Sequence, residues 1–327
     1  MAYRPSLELV PEVLDGRVHS IARLISRAES GNDECHGALA EIFRATRGAH
    51  VLGVTGVPGS GKSTLVAALA LRLIEEGHRL GVVAVDPSSP FSGGSILGDR
   101  IRMNDVAVDP RIFIRSMATR GALGGLSKAT LEAVDVLDAA GYDTVIVETV
   151  GVGQDEVEIV QAAHTVIVVS APGLGDDIQA IKAGILEIAD IHVVSKADKP
   201  EANDAVRVLR AMLNLDPSIH EKKGWRVPIC PTSALSGEGL GELLIAIDRH
   251  RAHLRESGEI DFRRRRIAEM RILKVAENIV RAEFAYRRNG ALAAVLDRVV
   301  AREMDPFSAA NDLLASLGQG GNDGNTE

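Results

Sequence analysis

Short apolar runs alternate with longer amphipathic segments through the middle of the chain. The runs HVLGVTG at 50–56 and RLGVVAVD at 79–86 have the length of buried strands, and helical stretches such as KSTLVAALALRLIEEG separate many such runs. Apolar strands that alternate with helices are typical of a parallel sheet covered on both faces. We therefore predict an α/β fold with a mostly parallel sheet flanked by helices. The other runs of this form are IFIRSM, TVIVETVG, TVIVVSA, IHVVSKAD and VPICPTSA.

Both ends of the chain instead show helical periodicity. In the stretch VHSIARLISRAES, Val18, Ile21, Leu24 and Ile25 recur at the spacing of one helix face. From about residue 236 onward, GLGELLIAIDRHRAHLRESG and RRRRIAEMRILKVAENIVRAEFAYRRNG predict long helices, and the final segment GQGGNDGNTE predicts disorder. We predict four parts, namely a helical N-terminal extension at 1–48, an α/β domain at 49–256, a helical C-terminal arm at 257–317 and a disordered tail at 318–327.

The composition narrows the range of partners and locations. The chain has 327 residues and only 3% aromatic residues, so aliphatic side chains must fill its core. Its net charge of −8 argues against general nucleic-acid binding. The N-terminal stretch lacks the basic and apolar regions of a secretory signal, and no apolar segment reaches the roughly 18 residues of a membrane span. We expect a cytoplasmic protein with two reduced cysteines, Cys35 and Cys230, and with neither nucleic acid nor a membrane as its partner.

The first predicted strand leads into a glycine-rich loop. Residues 56–63 read GVPGSGKS and match the pattern G-x-x-x-x-G-K-[ST], with a strand before the loop and a helix after it. Glycines let such a loop wrap around phosphates with its N–H groups pointing inward, and the helix start adds partial positive charge. Lys62 is the candidate for the β- and γ-phosphates, and Ser63 is the candidate for Mg²⁺. The loop residues expected at the phosphates are Val57, Pro58, Gly59, Ser60 and Gly61.

Acidic residues after the predicted strands are candidates for the magnesium site. Asp86 ends the run RLGVVAVD, where it could hold Mg²⁺ or its waters, or alternatively cap the turn DPSS. Asp99 follows the stretch SGGS and suits a nucleotide-sensing switch, although a surface role fits this residue equally well. Glu148 and Gly151 end another run, so the acid could address Mg²⁺ while the glycine N–H meets the γ-phosphate. We predict Lys62, Asp99 and Glu148 as the catalytic residues.

Two later loops predict which base the protein reads. The run IHVVSKADK places Asp198 where its carboxylate could accept two hydrogen bonds, from N1–H and the 2-amino group of guanine. Adenine has no such donor pair, so this acid favours GTP over ATP, and the aliphatic stem of Lys196 could cover the base. After the next strand, the segment TSALSGEGL offers its backbone to guanine O6. The predicted guanine-binding residues are Ser195, Lys196, Asp198, Ser233, Ala234 and Leu235.

Four stretches of the chain are similar to a known protein family. GVTGVPGSGKSTL, AVDPSSPFSGGSILGDRIRM, VETVGVGQDEVE and GDDIQAIKAGILEIAD resemble the MeaB family of metallochaperone GTPases, which includes the methylmalonic aciduria type A protein. The resemblance covers about residues 5–317 and implies a P-loop GTPase that uses Mg²⁺ with GTP or GDP. It also implies a complex with an adenosylcobalamin-dependent acyl-CoA mutase such as methylmalonyl-CoA mutase. The GTPase would gate cofactor loading and protect the mutase, and this chain itself is not expected to bind cobalamin.

The resemblance also implies roles for individual residues. By position, the phosphates and Mg²⁺ are held by Lys62, Ser63 and Thr64, and the metal and switch acids are Asp86, Asp99 and Glu148. The segment 172–182 resembles a third switch, in which Gln179 and Lys182 couple the mutase to the GTP site. The long C-terminal helices resemble an arm that forms a homodimer.

One position departs from the pattern of that family. The base-reading motif is usually Asn-Lys-x-Asp, and here Ser195 replaces the asparagine that steadies the loop and touches the base edge. Asp198 is present, so GTP is still the expected nucleotide. Because no water-orienting glutamine or arginine finger is evident, we expect slow intrinsic hydrolysis of GTP. The alternatives are an ATPase that energises a transport system and a scaffold that binds the mutase regardless of nucleotide.

Overall fold

The computed structural model describes residues 3–86, 109–118, 128–149, 158–173, 183–215, 221–286 and 291–319. The predicted switch residues Asp99, Gly151, Gln179 and Lys182 lie outside these ranges, as does most of the predicted tail. Two compact units make up the chain, Met1–Ala268 and Glu269–Glu327. The four-part division expected from the sequence stays a prediction.

A seven-stranded sheet forms the centre of the first unit. Its strands follow the order β3-β2-β4-β1-β5-β6-β9, and every neighbouring pair is parallel. Each of the seven apolar runs contains one strand, so the predicted α/β fold with a mostly parallel sheet is confirmed. The strands are β1 His50–Thr55, β2 Leu80–Asp86, β3 Ile112–Ala118, β4 Thr144–Thr149, β5 Thr165–Ser170, β6 Ile191–Val194 and β9 Ile229–Pro231.

Helices flank this sheet and form both ends of the chain. The predicted N-terminal and C-terminal helices are present, but the long C-terminal helix begins at Glu259, four residues before the arginine run where the sequence suggested its start. The helices are α1 Val10–Leu14, α2 Val18–Glu29, α3 His36–Arg44, α4 Lys62–Glu75, α5 Lys128–Ala139, α6 Ala183–Ile188, α7 Ala202–Leu215, α8 Leu240–Glu256, α9 Glu259–Tyr286, α10 Ala291–Val300 and α11 Pro306–Gln319.

A small antiparallel hairpin was not anticipated from the sequence. It pairs β7, Glu221–Lys222, with β8, Trp225–Arg226. The two residues between these strands, Lys223 and Gly224, both have positive φ values, +49° and +80°. Two consecutive positive φ values are the signature of a tight hairpin turn, and glycine accepts this conformation without strain. The strands are too short for an alternating pattern, which is why hydrophobic periodicity did not reveal them.

The two faces of the main sheet bury separate layers of the core. On one face, Val51 and Val83 pack in a cluster with side chains from α2, α3 and α5. On the other face, Leu52 and Val82 pack in a cluster with side chains from α4 and α8. Successive residues of a strand point to opposite faces, so a sheet covered on both sides needs uninterrupted apolar strands. Over the described residues, no helix combines the length and the apolar character that a membrane crossing requires.

Candidate nucleotide-binding site

The glycine-rich loop connects the carboxyl end of β1 to the first turn of α4. Gly56 has φ of +136°, and a Cβ atom there would lie 2.1 Å from the carbonyl oxygen of Val169. Gly61, the residue before α4, has φ of +86°. Side chains at these two positions would clash or be strained, so the loop geometry requires glycine at both. The loop therefore folds tightly over the start of α4, where the free N–H groups of a helix favour anions.

Lys62 lies buried inside this loop. Its Nζ donates hydrogen bonds to the carbonyl oxygens of Gly56, at 2.8 Å, and Val57, at 3.0 Å. The ammonium group thus sits where the loop curves around it, and phosphate oxygens could replace these two carbonyls as acceptors. The other predicted phosphate residues differ in exposure: Ser60 is buried, Pro58 and Gly59 are exposed, and Val57, Gly61, Ser63 and Thr64 are of intermediate exposure.

Glu148 and Ser63 meet beside the loop. Glu148 is only 4% exposed near the end of β4, between Val54 of β1 and Ala84 of β2. Its Oε1 accepts a hydrogen bond of 2.6 Å from the Ser63 hydroxyl. Asp86 ends β2 at the same edge of the sheet, one residue beyond the pair Val85–Thr149. The sheet thus brings together the ends of β2 and β4 with the first turn of α4.

The chemistry of these donors fits a magnesium ion. A hydroxyl oxygen and a carboxylate oxygen 2.6 Å apart, Ser63 Oγ and Glu148 Oε1, are hard ligands of the type that Mg²⁺ accepts. Within the described ranges, no group of three or more His, Cys, Asp or Glu side chains could form a metal cage. Mg²⁺ in nucleotide sites is usually held by one or two protein oxygens together with phosphates and water. The residues present therefore match a magnesium–nucleotide site.

The loop after β6 is tied to the phosphate loop. Ser195 is buried, and its hydroxyl donates a hydrogen bond to the carbonyl oxygen of Ser60. Lys196 Nζ donates to the carbonyl oxygen of Gly59 at 3.0 Å, and Lys196 itself has φ of +54°. Ser195 and Lys196, which the sequence predicts as guanine-binding residues, thus both contact the backbone of the phosphate loop. This link was missed in the sequence, because an ordinary serine carries no pattern that reveals its distant partner.

Asp198 is held in position by the loop after β9. Its carboxylate accepts a hydrogen bond from the buried Ser233 side chain, which lowers the pKa of Asp198 below its ordinary value. The backbones also meet, because Ala197 N donates to the carbonyl oxygen of Thr232 at 3.1 Å. The exposed carboxylate is thus ionised at neutral pH and can accept the two N–H donors of guanine. Beyond Ser233, Ala234 is partly buried and Leu235 is 87% exposed at the rim.

Several known proteins are similar to this chain. Residues 21–289 match the family described as methylmalonyl Co-A mutase-associated GTPase MeaB. A Pyrococcus abyssi protein with GTPase in its name is 44% identical over 315 residues, which cover 96% of this chain and 97% of that protein. GTPase ArgK of Escherichia coli is 44% identical over 211 residues, covering 64% of this chain and 63% of its own. The methylmalonic aciduria type A homolog of Mus musculus is 38% identical over 214 residues, covering 65% and 52%.

One solved structure is similar over nearly the full length. A crystal structure described as LAO/AO transport system kinase aligns with a TM-score of 0.72 and 27% sequence identity. The alignment covers 97% of this chain and 99% of that chain. The similarity therefore extends beyond the phosphate loop to the helical ends of the molecule.

Proposed function

The chain belongs to the MeaB family of methylmalonyl-CoA mutase-associated GTPases, and we propose that it assists an adenosylcobalamin-dependent acyl-CoA mutase. It is a P-loop enzyme that hydrolyses GTP, as its relatives' names and its fold indicate. The proposed role is that of a metallochaperone, which gates cofactor loading and protects the mutase from inactivation. The observation that carries this proposal is the family match, which spans residues 21–289 and so includes both loops of the nucleotide site.

The proposed GTP site uses charge and positioning more than covalent chemistry. Bound Mg²⁺ would supply charge neutralisation at the β- and γ-phosphates. The Ser63 hydroxyl donates a hydrogen bond of 2.6 Å to Glu148 Oε1, so a hydroxyl oxygen and a carboxylate oxygen lie side by side, and both would hold the cation. Lys62 provides a positive charge inside the loop, and Asp86 lies at the neighbouring strand end. We assign Asp198, with Ser233 as its support, to the guanine base.

We further propose that the state of the γ-phosphate reaches the mutase through the loops next to this site. Glu148 lies two residues before Val150, so the segment that contains Gly151 continues the chain directly from this site. The other proposed switch residues are Asp99, Gln179 and Lys182. In this proposal, the hydrogen bond between Ser63 and Glu148 couples the γ-phosphate site to the switch segment that follows β4.

We also propose that the C-terminal arm forms a homodimer. Three apolar side chains of α9, spaced three and four residues apart, lie on one face of the helix. They are Ile272 (68% exposed), Val275 (37%) and Ile279 (64%). Apolar residues three and four positions apart form a continuous stripe along a helix, and an exposed stripe is typical of a helix that packs against another chain. The cytoplasmic location expected from the sequence stays a prediction.

Cofactor loading provides the decisive experiment. The acyl-CoA mutase from the same genome would be loaded with adenosylcobalamin in the presence of this protein and GTP, GDP or no nucleotide. We expect GTP-dependent loading with the natural sequence and with Lys128→Ala, which changes a lysine on α5. Lys62→Ala should bind the mutase but should fail to support cofactor loading when GTP is added. If Lys62→Ala supported loading and protection fully, a nucleotide-independent scaffold would be the correct function.

An ATPase that energises a transport system is the second candidate. It is favoured by one observation, the similarity to a structure described as a transport system kinase. Asp198 argues for guanine, because adenine offers no pair of donors to its carboxylate. Competition between GTP and ATP for the purified protein separates the two functions. We expect GTP to bind at least about 100-fold more tightly, and equal affinities would favour the ATPase.

A further inference from the structure

A cavity of about 640 Å³ lies at the edge of the sheet opposite to the phosphate loop. Its wall includes Val166 near the start of β5 and Asp190 directly before β6, whereas the phosphate loop follows the carboxyl end of β1. Parts of α6, the β7–β8 hairpin, α8 and the first turns of α9 complete the wall. A volume between roughly 300 and 1,000 Å³ is typical of small-molecule sites. The cavity is thus separate from the nucleotide site and large enough for a ligand.

A fixed network of charges forms the inner wall of this cavity. Asp190 is fully buried, and its carboxylate accepts hydrogen bonds from Arg263, at 2.7 and 2.8 Å, and from the backbone N–H of Val166 at 2.8 Å. Lys222 Nζ donates to the carbonyl oxygens at the end of α6. These charges are engaged with each other and with the backbone. They therefore make a rigid wall that does not need a ligand for its own stability.

Arg266 is the exception among the cations of the cavity. It is exposed on α9, lines the cavity, and makes no ion pair with any residue in the described ranges. Of the lining residues that the structure describes, four are lysine or arginine and three are carboxylates, whereas the whole chain has 45 acidic and 37 basic residues. The lining cations are Lys222, Lys223, Arg263 and Arg266, and the lining carboxylates are Glu187, Asp190 and Glu259. The mouth of the cavity therefore favours an anion.

Flat side chains occupy the wall next to these charges. Trp225 donates its indole N–H to the carbonyl oxygen of Asp190 at 2.8 Å, and its ring centre lies 5.6 Å from that of His253. Phe262 is 56% exposed, with the Lys223 ammonium 3.9 Å from its ring centre. Such surfaces suit a planar apolar group. We propose that this cavity binds a small organic anion with a flat apolar body, whose acid group pairs with Arg266 and whose ring lies against Trp225.

The only tryptophan of the chain makes the proposal directly measurable. Anilinonaphthalene sulfonate serves as the probe because it is flat and anionic, and phenylnaphthylamine is its counterpart without the sulfonate. We expect the anionic probe to quench Trp225 fluorescence saturably, with one site per chain by calorimetry. Arg266→Glu should weaken this binding at least about tenfold, the loss expected when a charge-assisted contact becomes repulsive. Arg265→Glu, a matched exposed neighbour outside the cavity wall, should bind the probe normally.

Gly184 offers an independent test of the location. It lies on α6 in the cavity wall, and a Cβ atom there would meet no heavy atom within 4 Å. Gly184→Leu should fill part of the cavity and abolish probe binding, whereas Gly184→Ala should retain it. Equal binding by Arg266→Glu and Arg265→Glu would overturn the proposal. Probe binding that survives in Gly184→Leu, or that exceeds one site per chain, would also overturn it. The same holds if the neutral probe binds as tightly as the anionic one, or if excess GDP displaces the probe.

Discussion

Ser195 shows how one side chain joins two parts of the nucleotide site. The family's usual asparagine is absent, yet the buried Ser195 hydroxyl contacts the carbonyl oxygen of Ser60 in the phosphate loop. The loop that reads the base and the loop that holds the phosphates are thereby connected. The serine can supply the steadying contact with the loop. It is buried at 6% exposure, so its contribution to nucleotide affinity should come through loop position.

Removal of the Ser195 hydroxyl should loosen this connection. A net hydrogen bond of about 0.5–1.5 kcal/mol corresponds to a loss of roughly two- to tenfold in affinity. We therefore expect Ser195→Ala to bind both GTP and GDP more weakly by that factor, as measured by calorimetry. Ser26→Ala, which changes an exposed hydroxyl on α2, is the control. Unchanged affinity in Ser195→Ala would show that the contact with Ser60 has no role in nucleotide binding.

Asp198 allows a test of base selection by inversion of its hydrogen bonds. An amide in place of the carboxylate can donate as well as accept, so it pairs poorly with the two donors of guanine. Xanthine carries an oxygen where guanine has its 2-amino group, and it can accept from that amide. We expect Asp198→Asn to lose about 100-fold in GTP affinity and to gain affinity for xanthosine triphosphate. If Asp198→Asn still preferred GTP in competition binding, Asp198 would not be the residue that binds guanine.

At the scale of elements, the start of α9 is attached to the sheet by contacts with residues far away in the sequence. Arg263 lies in the second turn of this helix, and its guanidinium forms two hydrogen bonds with the buried Asp190. The guanidinium partner lowers the pKa of Asp190 even though burial opposes ionisation. The same arginine donates to the carbonyl oxygen of His164 at 2.7 Å. These contacts attach the first turns of α9 to the sheet and keep a buried carboxylate charged.

Loss of the Arg263 guanidinium should destabilise the protein strongly. Arg263→Met would leave the Asp190 carboxylate buried without its main partner, which costs about 3–5 kcal/mol in comparable buried pairs. We expect a clear decrease in the free energy of unfolding by urea titration. Arg264→Met removes a half-exposed arginine whose ion pair with Asp261 spans 3.8 Å, and it should change stability by less than about 1 kcal/mol. Equal stability of the two variants would contradict this assignment.

At the scale of the whole molecule, buried histidines should make the fold sensitive to acid. Burial lowers the pKa of His164, His192 and His250 to about 4, and that of His50 to about 2. A histidine whose pKa is depressed in the folded state binds its proton only on unfolding, because its ordinary value is about 6.5. Stability should therefore decline as the pH falls from about 6.5 towards 4.

His192 allows this pH dependence to be assigned. It is fully buried on β6, and neither of its ring nitrogens has a hydrogen-bond partner among the described residues. Burial lowers its pKa, and the nearby Lys222 charge lowers it further. His192→Leu should reduce the pH slope of unfolding free energy by up to one proton, about 1.4 kcal/mol per pH unit. Urea titrations at pH 5 and pH 7.5 measure this slope, with the exposed His19→Leu as control. An unchanged slope would exclude His192 as a source.

The proposed homodimer is the second prediction for the whole molecule. Carboxylates in the apolar stripe of α9 would be buried without partners in a dimer interface. We expect Ile272→Glu combined with Ile279→Glu to convert a dimer into a monomer, as measured by light scattering after size exclusion. Val208→Glu changes a similarly apolar, partly exposed position on α7 and should leave the dimer intact. A natural sequence that is monomeric at high concentration would refute the proposal.

The amino-acid sequence by itself determined the strands, most helices, the phosphate loop and the family resemblance. These features depend on neighbouring residues, since a buried strand needs an apolar run and a phosphate loop needs its glycines at fixed spacing. The tertiary structure alone decided which distant side chains meet. Ser195 and Ser60 are 135 residues apart, and Arg263 and Asp190 are 73 apart. Such contacts, like the cavity beside Trp225, arise when elements far apart in the sequence pack together, and this packing produces no periodic pattern in the sequence.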